Sequence, residues 1–375
     1  MRRKIKVLHV VGKMHPGGIE TLLMNVYRHI DRERFEFHFA VQTEERAFYD
    51  EEIEQLGGTI IRQPHPQKGL ARFRRQLEAN IRRHGPYDAV HSHIFSFSGY
   101  VLKICKDMGI PVRISHSHTV HRSEVKSLLR KAYLAYMRHL IRRNATHLLG
   151  CSRTSCESLF GADCWNDPRV DVFPNAIALE PYATLPAERS ALRERIGLDK
   201  GAAPLFAHIG RFQEMKNHPF LLDRFAEFAQ SSPDARLILI GDGPQRLHIE
   251  ERVRELGLAS QVVFLGQRKD IPELLGAVDG FILPSLIEGL GIVVIEAQAA
   301  GVPCLVSEAV PKEADLNLGL VRQLRLDDTP QLWVEAMQQL LHSSQPDWDK
   351  RRQALDHAGY NMTSSVRRLE MLYGS

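Results

Sequence analysis

The stretch Pro284-Ser285-Leu286-Ile287-Glu288-Gly289-Leu290-Gly291-Ile292-Val293-Val294-Ile295-Glu296-Ala297 sets two acids around a glycine-rich turn. It follows the apolar run Gly280–Leu283 and enters a predicted helix that stops at Gly301-Val302-Pro303. Glu288 falls in the loop before the helix, and Glu296 lies about two turns into it. Gly289 and Gly291 remove side chains where backbone has to come close to a ligand. The N–H groups of Gly289, Leu290, Gly291 and Ile292, at the helix start, form a ready anion site. A second stretch, Gly210-Arg211-Phe212-Gln213-Glu214-Met215-Lys216-Asn217, follows the run Leu205–Ile209. Its two cations, Arg211 and Lys216, sit on a loop entering a helix and can converge on one anion. Taken singly, such acids are more often caps or surface charges, and such cations are usually solvated. Together they suit a reaction whose leaving group gains negative charge as a bond breaks.

Further loops carry weaker signals. Lys13-Met14-His15-Pro16-Gly17-Gly18-Ile19-Glu20 joins the first predicted strand to the first helix. It lacks the G-x-G-x-x-G fingerprint, and only Gly17 and Gly18 open the helix. Gly241-Asp242-Gly243-Pro244 and Gly266-Gln267-Arg268 each end a predicted strand. Four histidines also stand at strand ends: His91 and His93 after Tyr87-Asp88-Ala89-Val90, and His116 and His118 after Pro111–Ser115. Such a cluster raises a metal site, but no carboxylate or thiol joins it at a suitable spacing, so no metal is expected there. No acidic D-x-D cluster stands on a suitable loop; Leu326-Asp327-Asp328 is the nearest string.

The elements that would position these residues alternate strand and helix. Predicted strands cover Lys6–Val11, Phe35–Val41, Ala89–His91, Val112–Ser115 and Thr146–Gly150. Helical patterns fall between them at Ile19–Ile30, Leu70–His84, Gly99–Met108 and Val125–Arg143. The series then restarts with Leu205–Ile209, Arg236–Ile240, Val262–Leu265, Gly280–Leu283 and Cys304–Val306. Two parallel sheets with helices on both faces follow from this order. Ligands then belong at the carboxyl ends of the strands. Residues 175–200, from Pro174-Asn175-Ala176-Ile177 through Pro181 and Pro186 to Gly197, read as the linker.

With 375 residues, two domains are the natural division. A hydrophobic content of 43% and a charged content of 25% are those of an ordinary globular chain, and no apolar run is long enough to span a bilayer. The N-terminus, MRRKIKVLHVVGKMHPGG, imitates a signal peptide, but His9, Gly12 and Lys13 interrupt its apolar stretch. It reads as a first strand, which places the chain in the cytoplasm. The five cysteines, Cys105, Cys151, Cys156, Cys164 and Cys304, form no C-x-x-C pair and read as buried thiols. Residues 1–180 hold 28 basic against 19 acidic residues, a balance of +9, and the remainder holds 21 against 26, a balance of −5. The basic excess includes Lys68, Arg72, Arg74, Arg75, Arg82 and Arg83 along Gln67–Arg83. It also includes Lys126, Arg130, Lys131, Arg138, Arg142 and Arg143 along Val125–Arg143, among Leu128, Leu129, Tyr133, Tyr136 and Leu140. Amphipathic surface helices explain these charges, and so does docking on an anionic membrane face. No nucleic-acid motif accompanies them, so nucleic acid is not an expected partner.

The two acids resemble the E-x7-E motif of the family-4 retaining glycosyltransferases, and the resemblance extends from Gly17-Gly18 to the tail Thr363–Leu372. It implies an α/β fold of GT-B type, with two Rossmann-like, doubly wound domains facing a central cleft. The domains would be an acceptor-side domain at 1–180 and a donor domain at 181–355, with a C-terminal helix at 356–375 returning to the first domain. By the same resemblance Glu288 contacts the donor sugar, Glu296 the ribose, and Arg211 and Lys216 the diphosphate, with Gly17 and Gly18 approaching the phosphates. Gly241, Gly243, Gly266, Gln267 and Arg268 fall on the base side. The family's histidine near the donor sugar matches the region of His116 and His118. Its usual spacing from Pro111 lands between them, on Ser117, with His118 favoured; His91 and His93 remain cleft candidates. The implied activity is transfer of a sugar from a nucleotide-sugar, a UDP-sugar first, to a saccharide or lipid-linked acceptor in bacterial surface polysaccharide assembly. It would need no metal cofactor, and the enzyme would be peripheral on the inner membrane face. A nucleotide-sugar epimerase of the same fold and a non-catalytic nucleotide-sugar-binding protein are the alternatives.

Overall fold

The computed structural model describes residues 3–119, 127–185, 189–195 and 203–374. The chain divides into two compact units, Met1–Ile177 with Gly359–Ser375 and Ala178–Ala358. The divisions fall at 177/178 and 358/359 rather than at 180 and 355. Of the expected linker, Pro186 and Gly197 lie outside the described residues, as do Val125 and Lys126 of the expected basic helix.

The first unit is a seven-stranded parallel sheet in the order β3-β2-β1-β4-β5-β6-β7. Its strands are β1 (Ile5–Val11), β2 (Phe35–Val41), β3 (Thr59–Arg62), β4 (Ala89–Ser92), β5 (Val112–Ser117), β6 (His147–Gly150) and β7 (Val170–Val172). Helices cover both faces, so strand side chains are buried whichever way they point. In β1, Val7 and Val11 turn to one face and Leu8 and Val10 to the other. The first face packs on the helices Gly18–His29 and Met362–Tyr373. The second packs on Leu70–His84, which buries Phe73, Leu77 and Ile81, and on Ser98–Asp107.

The C-terminal segment belongs to this unit by specific bonds. Ile177 N donates to Tyr360 O at 2.9 Å, and Met362 N donates to Ile177 O at 3.2 Å. Helix Met362–Tyr373 then buries Val366, Leu369 and Tyr373, and Arg368 holds Val172 O at 3.0 Å and pairs with Asp171.

The second unit is a six-stranded parallel sheet in the order β10-β9-β8-β11-β12-β13. Its strands are β8 (Leu205–Ile209), β9 (Arg236–Ile240), β10 (Val262–Gly266), β11 (Gly280–Leu283), β12 (Cys304–Ser307) and β13 (Val321–Leu324). Phe206, Phe225, Leu239 and Trp333 are among its buried core. Helix Arg189–Arg195 is tied in by Asp279, which pairs with Arg189 at 2.8 Å and Arg193 at 2.6 Å and accepts from Leu205 N at 2.8 Å.

Three strands were not anticipated: β3, β7 and β13. All are edge strands, with sequences TIIR, VDV and VRQL. An edge strand pairs on one side only and carries the polar residues that blunt it, so its pattern is weak. All five cysteines are buried free thiols. Among the described residues no helix is long and apolar enough to cross a membrane.

Candidate active site

In each sheet the strand order reverses once, between β1 and β4 in the first unit and between β8 and β11 in the second. At such a point the two strand-end loops run apart and leave room for a ligand. In the second unit those loops are Gly210–Asn217 and Pro284–Gly291, the two stretches singled out by their charges.

The structure brings these loops together. Leu286 N donates to Met215 O at 2.8 Å. Lys216 Nζ donates to Glu288 Oε2 at 2.6 Å, both side chains being largely buried. Ser285 Oγ, which sequence reasoning did not single out, donates to the same Glu288 oxygen at 3.2 Å. Ser285 is itself fixed, because Ser307 Oγ at the end of β12 donates to its carbonyl at 2.6 Å. Glu288 therefore points at the loop Gly210–Asn217 rather than capping the helix Ile292–Ala299 that follows. The N-cap is Gly291, in left-handed backbone at φ 80°, a conformation that favours glycine. Arg211 is exposed at the start of the loop Gly210–Asn217. The loop ends at Asn217, also left-handed at φ 54°, which opens the helix His218–Ser231.

Two further histidines lie beside the loop Gly210–Asn217, His208 on the strand before it and His218 on the helix after it. His208 Nδ1 sits 2.9 Å from Ile282 O across β8 and β11, and its ring packs at 4.6 Å from that of His218. Burial holds both below the usual imidazole range, so they add no positive charge to the loop at neutral pH.

Glu296 lies on the helix Ile292–Ala299, and desolvation pushes its carboxyl up to about 7. It lies close enough to Tyr182 to raise that phenol further, although burial is the larger cause.

Of the two glycine-bearing turns on the expected base side, the one after β9 has a packing reason of its own. A Cβ on Gly241 would stand 2.1 Å from Gly210 O, and one on Gly243 would stand 2.4 Å from Phe212 O. Gly241 is also at φ 135°. Phe212 N donates to Asp242 O at 3.0 Å, and Gly241 N donates to Gly266 O at 2.8 Å. The turn after β9 thus supports the backbone of the loop Gly210–Asn217 directly. Gly266 closes β10 at φ 63°. Gln267 and Arg268 follow it, exposed, with Arg268 Nε bonded to Asp270 at 2.8 Å.

In the first unit Gly17 is the N-cap of the helix Gly18–His29 in extended backbone, φ −169°. Its constraint is the neighbouring Glu20 carboxylate, 2.6 Å from where a Cβ would be. Gly18 is exposed.

The four histidines stand at strand ends: His91 and His116 are each next to last in β4 and β5, and His93 and His118 follow those strands. Parallel register aligns His9 of β1 with His91, so a residue first read as an interruption of an apolar run joins the set. His91 Nε2 lies 3.1 Å from His116 Nδ1, His93 Nδ1 lies 2.9 Å from His118 Nε2, and His9 Nδ1 lies 3.4 Å from His93 Nε2. Tyr373 OH, from the C-terminal helix, lies 2.8 Å from His91 Nδ1. Desolvation, with mutual repulsion at His91, His93 and His116, drives all five far below the usual imidazole range, to about 3 for His9 and His118. They are neutral at physiological pH. His118 is the partly exposed member, which suits it better than the fully buried His116 for meeting a ligand.

The basic helices differ from each other. In Leu70–His84, Arg74 pairs with Glu78 at 2.7 Å and Arg82 with the same acid at 3.7 Å. Helix Leu128–Asn144 buries Met137, Leu140 and Ile141 but exposes Leu128 by 79%, Leu129 by 85%, and Tyr133 and Tyr136 by 42% and 56%. An apolar patch beside Arg130 and Lys131 is not what a simple packing helix shows.

The comparisons with known proteins agree with this geometry. The family model of glycosyl transferases group 1 matches residues 189–362, and that of glycosyltransferase family 4 matches residues 16–181. EpsF of Bacillus subtilis (strain 168), which is named as a glycosyltransferase, is 35% identical over 370 residues, covering 98% of this chain and 96% of its own. An Escherichia coli enzyme, UDP-Gal:alpha-D-GlcNAc-diphosphoundecaprenol alpha-1,3-galactosyltransferase, is 31% identical over 230 residues, 59% of this chain and 58% of its own. HepE of Anabaena, solved in complex with UDP-glucose, has a TM-score of 0.76 at 20% identity, covering 99% of this chain and 100% of its own. That last likeness is one of fold.

Proposed function

Because this chain belongs to the group 1, family-4 glycosyltransferases of GT-B fold, we propose that it moves a sugar from a UDP-sugar to a saccharide or lipid-linked acceptor, with retention of the anomeric configuration, in surface polysaccharide assembly. The observation that carries this reading is the convergence of Lys216 and Glu288 at the strand-order reversal of the second unit.

The residues divide the work by chemistry. Arg211 and Lys216 hold the diphosphate and offset the charge that grows on it as the C1–O bond breaks. The N–H groups at the start of helix Ile292–Ala299 add to that field. Glu288, an acceptor of hydrogen bonds, takes sugar hydroxyls, and Glu296 takes those of the ribose. Retention needs attack from the face the phosphate leaves. The acceptor oxygen bonds to C1, and its proton passes to an oxygen of the departing diphosphate. Two side-chain cations serve where other transferases use a metal, so turnover is independent of added divalent cation. His118 is the first-unit residue we assign to the donor sugar.

The names of the relatives support the donor and the acceptor class: the E. coli enzyme uses UDP-Gal and a diphosphoundecaprenol-linked sugar, and HepE was solved with UDP-glucose. The exposed apolar and basic face of helix Leu128–Asn144 supports docking on an anionic membrane.

The test is incubation with UDP-sugars and a diphosphoundecaprenol-linked sugar, with and without EDTA, followed by NMR of the product. Released UDP and an α-linked product from an α-donor, unaffected by EDTA, are the expected result. An inverted product overturns retention, loss of turnover in EDTA restored by magnesium overturns metal independence, and an epimerised nucleotide-sugar without transfer overturns the whole reading.

A further inference from the structure

The histidine layer of the first unit has more capacity than a donor contact needs. β4 and β5 run parallel with Ser92 opposite Ser115, so the next residues, His93 and His116, come side by side. Side chains two apart on a strand share a face, which adds His118. The result is a triad of imidazoles in which one ring nitrogen from each residue lies within 4.8 Å of the other two. His93 Nδ1 and His118 Nε2 are 2.9 Å apart, and the rings of His116 and His118 have centroids 3.9 Å apart. Two nitrogens bound to one tetrahedral zinc at about 2.0–2.1 Å stand about 3.3 Å apart. The His93–His118 pair is therefore already near ligand spacing, with a nitrogen of His116 beside it.

Hydrogen bonding among imidazoles does not use up the set. His116 is fully buried, yet its Nε2 has no partner of hydrogen-bond geometry, and neither does His118 Nδ1. Their nearest polar neighbours outside the histidines are the backbone of Phe173 for His116 and the side chain of Asn175 for His118. Buried polar atoms rarely stay unpaired. His93 and His116 are buried while His118 is partly exposed, which gives an ion a way in from one side only.

We propose that His93, His116 and His118 form a binding site for a borderline divalent cation such as zinc or cobalt, separate in role from the donor-phosphate residues of the second unit. A nitrogen-only donor set selects such ions over magnesium or calcium, which take oxygen ligands. Three protein nitrogens leave a fourth position for water or an oxygen of a bound molecule. This inference does not depend on which sugar or acceptor is used. The inner group His9, His91 and His93 also lies within 4.8 Å, but all three are buried and His91 is engaged by Tyr373 at 2.8 Å, so the outer triad is the site.

The experiment uses the full chain without an affinity tag, stripped by chelator, and titrated with cobalt(II) and, separately, magnesium. Uptake of one equivalent of cobalt, with visible d–d absorption and a raised Tm, is expected, and no response to magnesium. His93→Gln and His118→Gln should each weaken cobalt binding by at least about 10–100-fold, no less than the loss of a supporting group in a metal site, while His15→Gln, at an exposed histidine outside the layer, should not. Because His93 is buried and its replacement also perturbs the core, His118→Gln, at the partly exposed edge, carries the decision, with circular dichroism of the metal-free variant matching the parent. Absence of cobalt uptake, uptake unchanged in His118→Gln, or uptake weakened equally in His15→Gln would overturn the proposal.

Discussion

Lys216 Nζ lies 2.6 Å from Glu288 Oε2, with both side chains largely buried. The cation we assign to the diphosphate and the acid we assign to the sugar are thus bonded to each other. A lysine ammonium has three donors, so it can keep Glu288 and still reach a phosphate oxygen. The pair orients both groups and also lowers the positive charge offered to the diphosphate.

Replacing Glu288 by glutamine should therefore separate two effects. Turnover should fall by about 100-fold or more, as for loss of one polar transition-state contact. Affinity for UDP should stay level or tighten, because Lys216 is freed from its anion. Isothermal titration with UDP and steady-state rates measure the two, and a Glu288→Gln enzyme with full turnover, or with much weaker UDP binding, would contradict the assignment.

Arg211→Ala and Lys216→Ala should each weaken UDP binding by about 1.5–3 kcal/mol, the range for a hydrogen bond to a charged group. Arg211 is exposed, so its loss should leave Tm unchanged, whereas Lys216→Ala leaves Glu288 largely buried without its cation and should lower Tm as well. UDP affinity unchanged from the parent in both variants would place the diphosphate elsewhere.

Glu296 gives a pH dependence with a definite sign. Burial raises its folded-state value to about 7. In the free protein this costs stability progressively as pH rises from the ordinary carboxylate range to about 7, because ionisation is then easier in the unfolded chain. Binding ribose hydroxyls favours the carboxylate. UDP affinity should rise with pH up to about 7 and level off above it, with a proton released on binding below that pH. The nucleotide's own phosphate titrates nearby, so Glu296→Gln is the reference: the part of the slope that disappears in this variant belongs to Glu296. Identical pH profiles for the two proteins would remove its role.

Gly241→Ala tests the support beneath the phosphate loop. A Cβ there meets Gly210 O at 2.1 Å in backbone at φ 135°. We expect a loss of about 1–3 kcal/mol of stability together with weaker UDP binding, since the backbone that must move carries Arg211. Urea denaturation and titration read both. Unchanged values for both would mean that the turn does not position the loop.

Leu128 and Leu129, exposed by 79% and 85%, allow membrane docking to be tested without touching the core. Leu128→Glu with Leu129→Glu should release the protein from anionic vesicles in a sedimentation assay and leave Tm nearly unchanged. Undiminished binding by the double variant would remove that helix from the membrane face.

Much of this molecule was legible from local pattern. The central strands β2, β8, β9 and β11 fall where largely apolar runs stand in the chain, because a strand covered on both faces buries most of its side chains. The acids and cations of the donor site were also readable, since each lies in a short strand-to-helix loop with glycine beside it. Pairing them was another matter. Lys216 and Glu288 meet only because β11 lies next to β8, and an order of strands is a long-range fact that no local spacing encodes. The same holds for the histidines. Sequence shows H-S-H at 91–93 and again at 116–118, but register across β1, β4 and β5 decides that His9 joins them and that Tyr373, from the far end of the chain, closes one side. Burial by that helix and those strands, not the identity of the residues, strips water from the imidazoles and so sets their charge, and burial likewise sets that of Glu296.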